Sequence, residues 1–272
     1  MGMDRTICYN SDMLRTITAT RYVTPLREGG SLPAIVEADD DGLYVLKFRG
    51  AGQGLKALIA ELVAGEIARS LGLPVPEIVF MELDPVLGRS EPDFEIQSLI
   101  QASEGLNLAL DFLPGALPFD ALDARSLEPL LASSIVWFDA YVTNVDRTSR
   151  NTNMLWWHRR LMLIDHGASL YFHHVNANYM ERSQLPFSAI KNHVLLPVAS
   201  ALPEVDQRLK AQLTATTLQS IMDLVPDGWL GKNSEFTDPV AHRAAYLDYL
   251  LDRLQHSQIF VEEALRARDQ LI

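Results

Sequence analysis

Cysteine is almost missing from this chain. Of 272 residues only Cys8 is a cysteine. No intramolecular disulfide and no cysteine-built zinc site can form, and a reducing cytoplasm suits such a chain. Positive charge is scarce too. The 23 Lys and Arg stand against 35 Asp and Glu, a formal net charge of −12. A surface this acidic repels a phosphate backbone, so nucleic-acid binding is not expected. No apolar run approaches the roughly 18 residues of a membrane span. The start, MGMDRTICYNSDMLR, is polar and has no apolar segment of the secretory kind. Internal repeats and low-complexity tracts are absent as well. What is present, 48% hydrophobic residues, suffices for a packed core. The length allows one large domain or two lobes.

Residues 14–22 alternate and hold Thr, Ile, Val and Tyr, which predicts a strand. Residues 25–33 (PLREGGSLP) read as a glycine-containing loop. Two short apolar runs, 34–38 and 43–48, flank Asp39-Asp40-Asp41-Gly42, which predicts a β-hairpin. Over 55–71 the period changes: Leu58, Leu62, Ile67 and Leu71 fit one helical face. Gly72 follows as a stop, with Pro74 and Pro76 beyond it. Further strands are expected at 78–83 and 94–100, and a helical region from about Leu106. Within that region 127–142 predicts a buried helix, 154–157 and 160–164 two short strands around a turn, and 214–225 and 239–268 amphipathic helices. The expected class is α+β, with a β-rich lobe over 1–101, a helical lobe over 102–272, and the ligand site between them.

The richest stretch is 144–167, NVDRTSRNTNMLWWHRRLMLIDHG. Asp146 and Asn151 lie five residues apart in a polar loop after an apolar helix. A hairpin follows, then Asp165 directly after LMLI and just before His166 and Gly167. Kinases carry their chemistry in this order. There the first Asp orients or deprotonates the acceptor hydroxyl, the place of Asp146. Asn151 and Asp165 would hold Mg²⁺, a hard cation that takes oxygen ligands. Asp and Asn are also ordinary turn residues; Asp165 at the right remove favours the chemical reading.

Tyr44-Val45-Leu46-Lys47 is a strand ending in lysine, like the kinase strand whose lysine meets the α- and β-phosphates. Either Glu61 or Glu66, on the next helix, could aim Lys47. Upstream, Gly29, Gly30 and Ser31 occupy the place of a phosphate-covering loop, where glycine permits close backbone approach. Gln97, Ser98 and Leu99 fall where the connection between the lobes is expected, with their backbone on an adenine edge.

Together these residues resemble the HipA-like kinases, a bacterial branch of the protein-kinase-like superfamily that shares loop features with phosphatidylinositol kinases. The pattern Asn-x-Asp-Arg-x-x-x-Asn is matched by Asn144, Asp146, Arg147 and Asn151. In such sequences the helix glutamate stands eleven residues before the glycine of a Gly-aliphatic-Pro stop. Glu61 and Gly72 match, which favours Glu61 over Glu66. The resemblance covers roughly 14–170 and implies a two-lobed protein-kinase-like fold, a small β-rich N-lobe with one helix and a larger helical C-lobe. It implies ATP, Mg²⁺ and transfer of phosphate to a Ser or Thr hydroxyl of a protein, the chain itself included. Arg147 joins Lys47 and Asp146 as a catalytic candidate, on phosphates or a loop carboxylate; a structural ion pair is the other reading. Some HipA kinases are switched by phosphorylation of a serine in the loop where Ser31 falls; a turn serine is the simpler reading.

The chain also departs from these patterns. Asn144-Val145 replace His-Arg before Asp146, and His166 stands where protein kinases have Phe. An Ala-Pro-Glu anchor is absent, and 27–31 is not Gly-x-Gly-x-x-Gly. Full HipA toxins are much longer, so their antitoxin partner does not carry over. His173 and His174, with His166, lack the spacing of a helical metal pair and read as solvated loop histidines; Trp156 and Trp157 read as hairpin packing. The same fold could serve a lipid or small-molecule kinase; for lipid at an anionic membrane a basic patch is wanted, which a charge of −12 opposes. A nucleotide-binding scaffold without turnover would not need Lys47, Asp146, Asn151 and Asp165 together. Nothing in the chain names the phosphate acceptor.

Overall fold

Asp39–Gly42 reverses the chain as its composition requires. The Asp40 carboxylate accepts the Gly42 N–H at 3.0 Å, and Asp41 takes a left-handed φ of +62°. This turn joins β2 (Ala34–Ala38) to β3 (Leu43–Lys47), with Ala34 opposite Leu46 and Glu37 opposite Leu43. In this computed structural model, which describes residues 14–26, 32–52, 54–174, 178–231, 236 and 238–271, the hairpin is part of a closed barrel. Its other strands are β1 (Thr16–Pro25), β4 (Ile78–Leu83) and β5 (Gly105–Asp111), in the order β1-β2-β3-β5-β4. A parallel pairing of β1 with β4, Thr16 opposite Phe80, closes it. Ile17, Ala19, Ala34, Val36, Leu46, Val79, Met81 and Ala109 fill the interior. Alternate residues of β4 and β5, Ile78, Phe80, Leu108 and Leu110, face outward into a second core.

Helix α1 (Gly54–Ser70) lies against that outer face. It is buried continuously from Leu58 to Ala68, because the helical part covers its other side. A strictly one-sided amphipathic helix, as 55–71 suggests, would leave a wet face; this one has none. Gly72, at φ +73°, ends it, and the Leu73 N–H returns to the Ala68 carbonyl at 2.9 Å.

Two expectations fail here. Residues 94–100 are not a strand but part of helix α2 (Phe94–Ala102), which packs beside a 3₁₀ turn at Pro85–Ser90. Asp93 caps it: its carboxylate accepts the Glu95 N–H at 3.0 Å, and its carbonyl accepts the Gln97 N–H at 2.9 Å. Ile96 and Ile100, one helical turn apart, enter the barrel core. Nor does the helical part begin near Leu106. Residues 105–111 form the strand that pairs with both β3 and β4, so the barrel runs past residue 101 and the chain leaves it after Asp111.

The second part holds a small sheet of β6 (Leu117–Pro118), β7 (Met154–Trp157) and β8 (Arg160–Leu163). Helix α3 (Pro129–Tyr141), buried from Ala132 onward, runs through its centre. Around it lie α4 (Tyr179–Ser183), α5 (Leu202–Gln212), α6 (Ala215–Asp223), α7 (Pro239–Gln255) and α8 (Ser257–Asp269). The amphipathic run over 239–268 is two helices, interrupted at His256. Among the described residues no helix is long and apolar enough to cross a membrane.

Candidate active site

The two parts meet through charge. Lys47, the last residue of β3, places its Nζ 2.7 Å from Oδ1 of Asp165, which follows β8. The same Nζ lies 3.7 Å from Oε2 of Glu61, in the middle of α1. Glu66 turns instead to Arg69, at 2.6 Å, so the choice between the two glutamates falls to Glu61. The side chain of Glu61 is only 2% exposed and that of Asp165 is 41% exposed, so the inner carboxylate aims the lysine and the outer one is open to solvent. Burial disfavours charge on Lys47, but Glu61 and Asp165 outweigh it and hold its pKa above the usual value. Burial likewise lifts Glu61 above the usual carboxylate range, against the pull of Lys47. For Asp165 the balance reverses: Lys47 overcomes burial and holds the carboxyl below that range.

The loop after α3 is built from its own backbone. The Thr148 N–H lies 3.0 Å from the Asp146 carbonyl and 2.8 Å from the Asn151 carbonyl. That turn gives the five-residue spacing its meaning, since it brings Asn151 Nδ2 to 2.7 Å from Oδ2 of Asp146. A carboxylate only accepts, so the amide nitrogen faces Asp146 and the amide oxygen of Asn151, on an exposed residue, faces outward. Asn144 holds the loop from behind, accepting the Asp146 N–H at 3.0 Å.

Three residues flanking these loops, Thr143, Asn153 and Asp165, have left-handed φ of +56°, +46° and +54°. For threonine this is a strained conformation. Its surroundings hold it: Thr143 Oγ1 accepts the Tyr171 N–H at 3.1 Å, and the Leu170 N–H reaches the Val142 carbonyl at 2.7 Å.

Arg147 does not face solvent. It is 1% exposed and serves as a buried tie. Its Nε donates to Asp139 Oδ2 on α3 at 2.6 Å, one Nη to the Asn153 carbonyl, and the other lies 3.3 Å from His166 Nδ1. The catalytic expectation for Arg147 is therefore corrected: its guanidinium is buried against Asp139, the Asn153 carbonyl and His166, and the structural ion pair is what forms. Asp139, fully buried, also receives the Asn144 amide at 2.9 Å and His193 Nε2 at 2.9 Å. Despite its burial, Arg147 and His193 hold its carboxyl well below the usual range. Neither Asp139 nor His193 carries a signal in the chain, because both lie outside the loop motif and reach it only through folding.

His166 packs edge-on against Phe138, ring centres 5.6 Å apart, in the interior. Burial, then Arg147, lowers its pKa to about 3. It is not a solvated loop histidine, and neither is His173, whose Nδ1 lies 2.9 Å from the Tyr246 hydroxyl and whose Nε2 lies 3.1 Å from His174 Nε2. Among the described residues no three His, Cys, Asp or Glu side chains gather as a metal site. Trp156 and Trp157 pack the hairpin as expected, with Nε1 of Trp156 on Asp123 at 3.1 Å and that of Trp157 on the Pro114 carbonyl at 3.2 Å.

Gln97, Ser98 and Leu99 are not brought to this site as a connection between the parts. They lie on α2, where the Gln97 N–H is bonded within the helix and Ser98 Oγ donates to the Phe94 carbonyl. A helical backbone has no free edge for a base, so the adenine expectation for these three is corrected. Gly29, Gly30 and Ser31 lie outside the described residues. Asn153 was not singled out by the spacing, yet its Nδ2 lies 3.2 Å from Asp146 Oδ2. The only trace of it in the chain is the Asn-Thr-Asn doublet at 151–153.

The donor set suits a magnesium nucleotide: Asp165 and Asn151 offer partly open oxygens, and Lys47 offers a cation held by a carboxylate behind it. Solved structures share the fold. The proinflammatory kinase CtkA of Helicobacter pylori superposes with a TM-score of 0.54 at 15% identity, over 94% of this chain and 99% of that one. A Golgi casein kinase with manganese and ADP bound gives 0.51 at 11% identity, over 94% and 74%. At such identities the likeness is one of fold. A comparison with curated proteins gave no match. The model of the HipA-like kinase family, however, matches residues 20–263, nearly the whole described chain. By that match, and with a β-rich first part and helical second part of kinase type, the chain belongs to the HipA-like kinase family.

Proposed function

We propose that this phosphotransferase uses ATP and Mg²⁺ to phosphorylate a Ser or Thr hydroxyl of a protein. The observation that carries the reading is the meeting of Lys47, Glu61 and Asp165 across the two parts, with Lys47 Nζ at 2.7 Å and 3.7 Å from the two carboxylates. Lys47 would pair with the α- and β-phosphates, held in aim by Glu61. Asn151 and Asp165 would hold the metal, which supplies positive charge on the phosphate oxygens when bound. A nucleotide at Lys47 competes for the cation that Asp165 now holds, and so frees that carboxylate for the metal. A Golgi casein kinase of similar fold has manganese and ADP bound, and that supports reading a metal nucleotide here. The base would lie along residues 112–116, since β5 is the last barrel strand before the chain crosses over.

Asp146 would take the acceptor proton. The hydroxyl oxygen forms its bond to the γ-phosphorus, the bond from that phosphorus to the β–γ bridging oxygen breaks, and ADP leaves with the electron pair. Asp146 is half-buried, with its backbone fixed at both ends of the peptide unit, so the work is positioning more than covalent chemistry. The choice of Ser or Thr rests on the family resemblance.

The test is transfer of labelled γ-phosphate from ATP to the chain itself and to a panel of protein acceptors. Asp146→Asn is expected to lower transfer about 10²–10⁴-fold, the usual worth of a positioned base, while ATP binding stays within twofold. Transfer by Asp146→Asn at the wild-type rate would contradict the assignment. ATP binding by wild type with no transfer to any acceptor would make the chain a binding module.

A further inference from the structure

We propose that Asn153 is a positioning residue for phosphoryl transfer, holding the Asp146 carboxylate by one oxygen so that Asn151 is free to serve the metal. The inference rests on the kinase reading above and assigns a residue that reading does not use. Two amides converge on a single atom: Asn151 Nδ2 lies 2.7 Å and Asn153 Nδ2 3.2 Å from Asp146 Oδ2. Oδ1 of Asp146 has no hydrogen-bond partner among the described residues. The carboxylate is thus gripped on one oxygen and open on the other, the arrangement needed to present a defined lone pair to a hydroxyl.

The two asparagines are not equivalent. Asn151 is exposed, so its amide oxygen is accessible from solvent. Asn153 is 8% exposed. Its carbonyl accepts from Arg147 and, at 3.0 Å, from the Ile164 N–H, so it is pinned between the Asp146 loop and the strand that leads to Asp165. A metal ligand must follow the metal through nucleotide binding and release. A second, anchored amide keeps Asp146 in place while that happens.

The plainer explanation is that asparagine stands at 153 for its backbone, since it tolerates a φ of +46° better than most residues. Glycine tolerates it better still. Asn153→Gly therefore keeps the backbone and removes the amide, which separates the two explanations. Asn153→Asp keeps the shape and replaces both N–H donors with acceptors, and it serves as the second variant should glycine impair folding.

The experiment measures kcat and KM for phosphate transfer with MgATP, ATP affinity with and without Mg²⁺, and crystal structures of wild type and Asn153→Gly. Asn153→Gly is expected to lower kcat about 10–100-fold, as a misplaced reacting group does, with KM for ATP and the Mg²⁺ dependence of binding within twofold. Its Asp146 side chain is expected to leave the wild-type rotamer. Asn153→Asp is expected to lower kcat at least as far. Wild-type kcat in either variant overturns the assignment, and so does a loss of Mg²⁺-dependent affinity in step with kcat. If wild type transfers no phosphate to any acceptor, the kinase reading fails by itself; an unmoved Asp146 in the Asn153→Gly crystal then removes the Asn153 assignment separately.

Discussion

His166 and His173 are imidazoles folded where a charge has little water. Burial, with Arg147 behind it, brings the pKa of His166 to about 3. Burial, with His174, Lys56 and His242 behind it, takes His173 well below its ordinary value. In the unfolded chain both would take a proton below a pH of about 6.5. Below that point the unfolded chain binds more protons than the folded one, so stability is full above it and falls as pH falls. The loss grows to about 1.4 kcal/mol per pH unit for each such histidine. Denaturant unfolding between pH 8 and 5 checks this, and His173→Gln is expected to flatten the profile by one proton's share. A profile with the same slope in both proteins would show that His173 is not held neutral. The Asp139 carboxyl, held low by Arg147 and His193, works in a lower window and loses its contribution only in strong acid. Residue identity in the chain did not announce these roles. A histidine in a loop and an arginine in a catalytic motif look the same whether they face water or the core. The turn that joins Asp146 to Asn151 is local, and the spacing alone discloses it.

At the scale of elements, α1 is the part that positions Lys47, and its packing is tight. A Cβ on Gly65 would lie 2.5 Å from Ile78 Cδ1 on β4. Gly65→Ala is expected to cost about 1–3 kcal/mol, the usual range for overpacking, and Ile78→Val, which removes Cδ1, to recover part of it in the double variant. Denaturation of the three variants reads the coupling; strictly additive effects would mean the two elements do not press on each other here. The same scale shows where sequence reading fails. FEIQSLI fits a strand by alternation and a helix by Ile96 and Ile100 four apart, and seven residues cannot separate the two periods. The Asp93 cap decided for the helix, and with it moved the connection between the parts from 97–99 to the residues after β5. The hairpins at Asp39–Gly42 and around His158-Arg159 were legible because a turn and its flanking strands are set by neighbours in sequence. Closure of the barrel by β1 on β4 was not, since that pairing spans the whole of α1.

At the scale of the molecule, a chain of net charge −12 concentrates a lysine, held by two carboxylates, at the seam between its barrel and its helices. An acidic protein gains nothing from ATP by long-range attraction, so the proposed binding would have to come from the local set and from a metal that neutralises the phosphates. The order of Lys47, Glu61, Asp146, Asn151 and Asp165 along the chain was enough to suggest the fold; the family match over 20–263 and the superposition on CtkA agree with it. The most direct test is a calorimetric titration of ATP, with Mg²⁺ and with a chelator, into wild type and Asp165→Ala. The account predicts that wild type binds ATP more tightly with Mg²⁺ and that Asp165→Ala loses this difference while still binding the bare nucleotide through Lys47. Absence of ATP binding by wild type at millimolar nucleotide, or an equal effect of Mg²⁺ in both proteins, would contradict it.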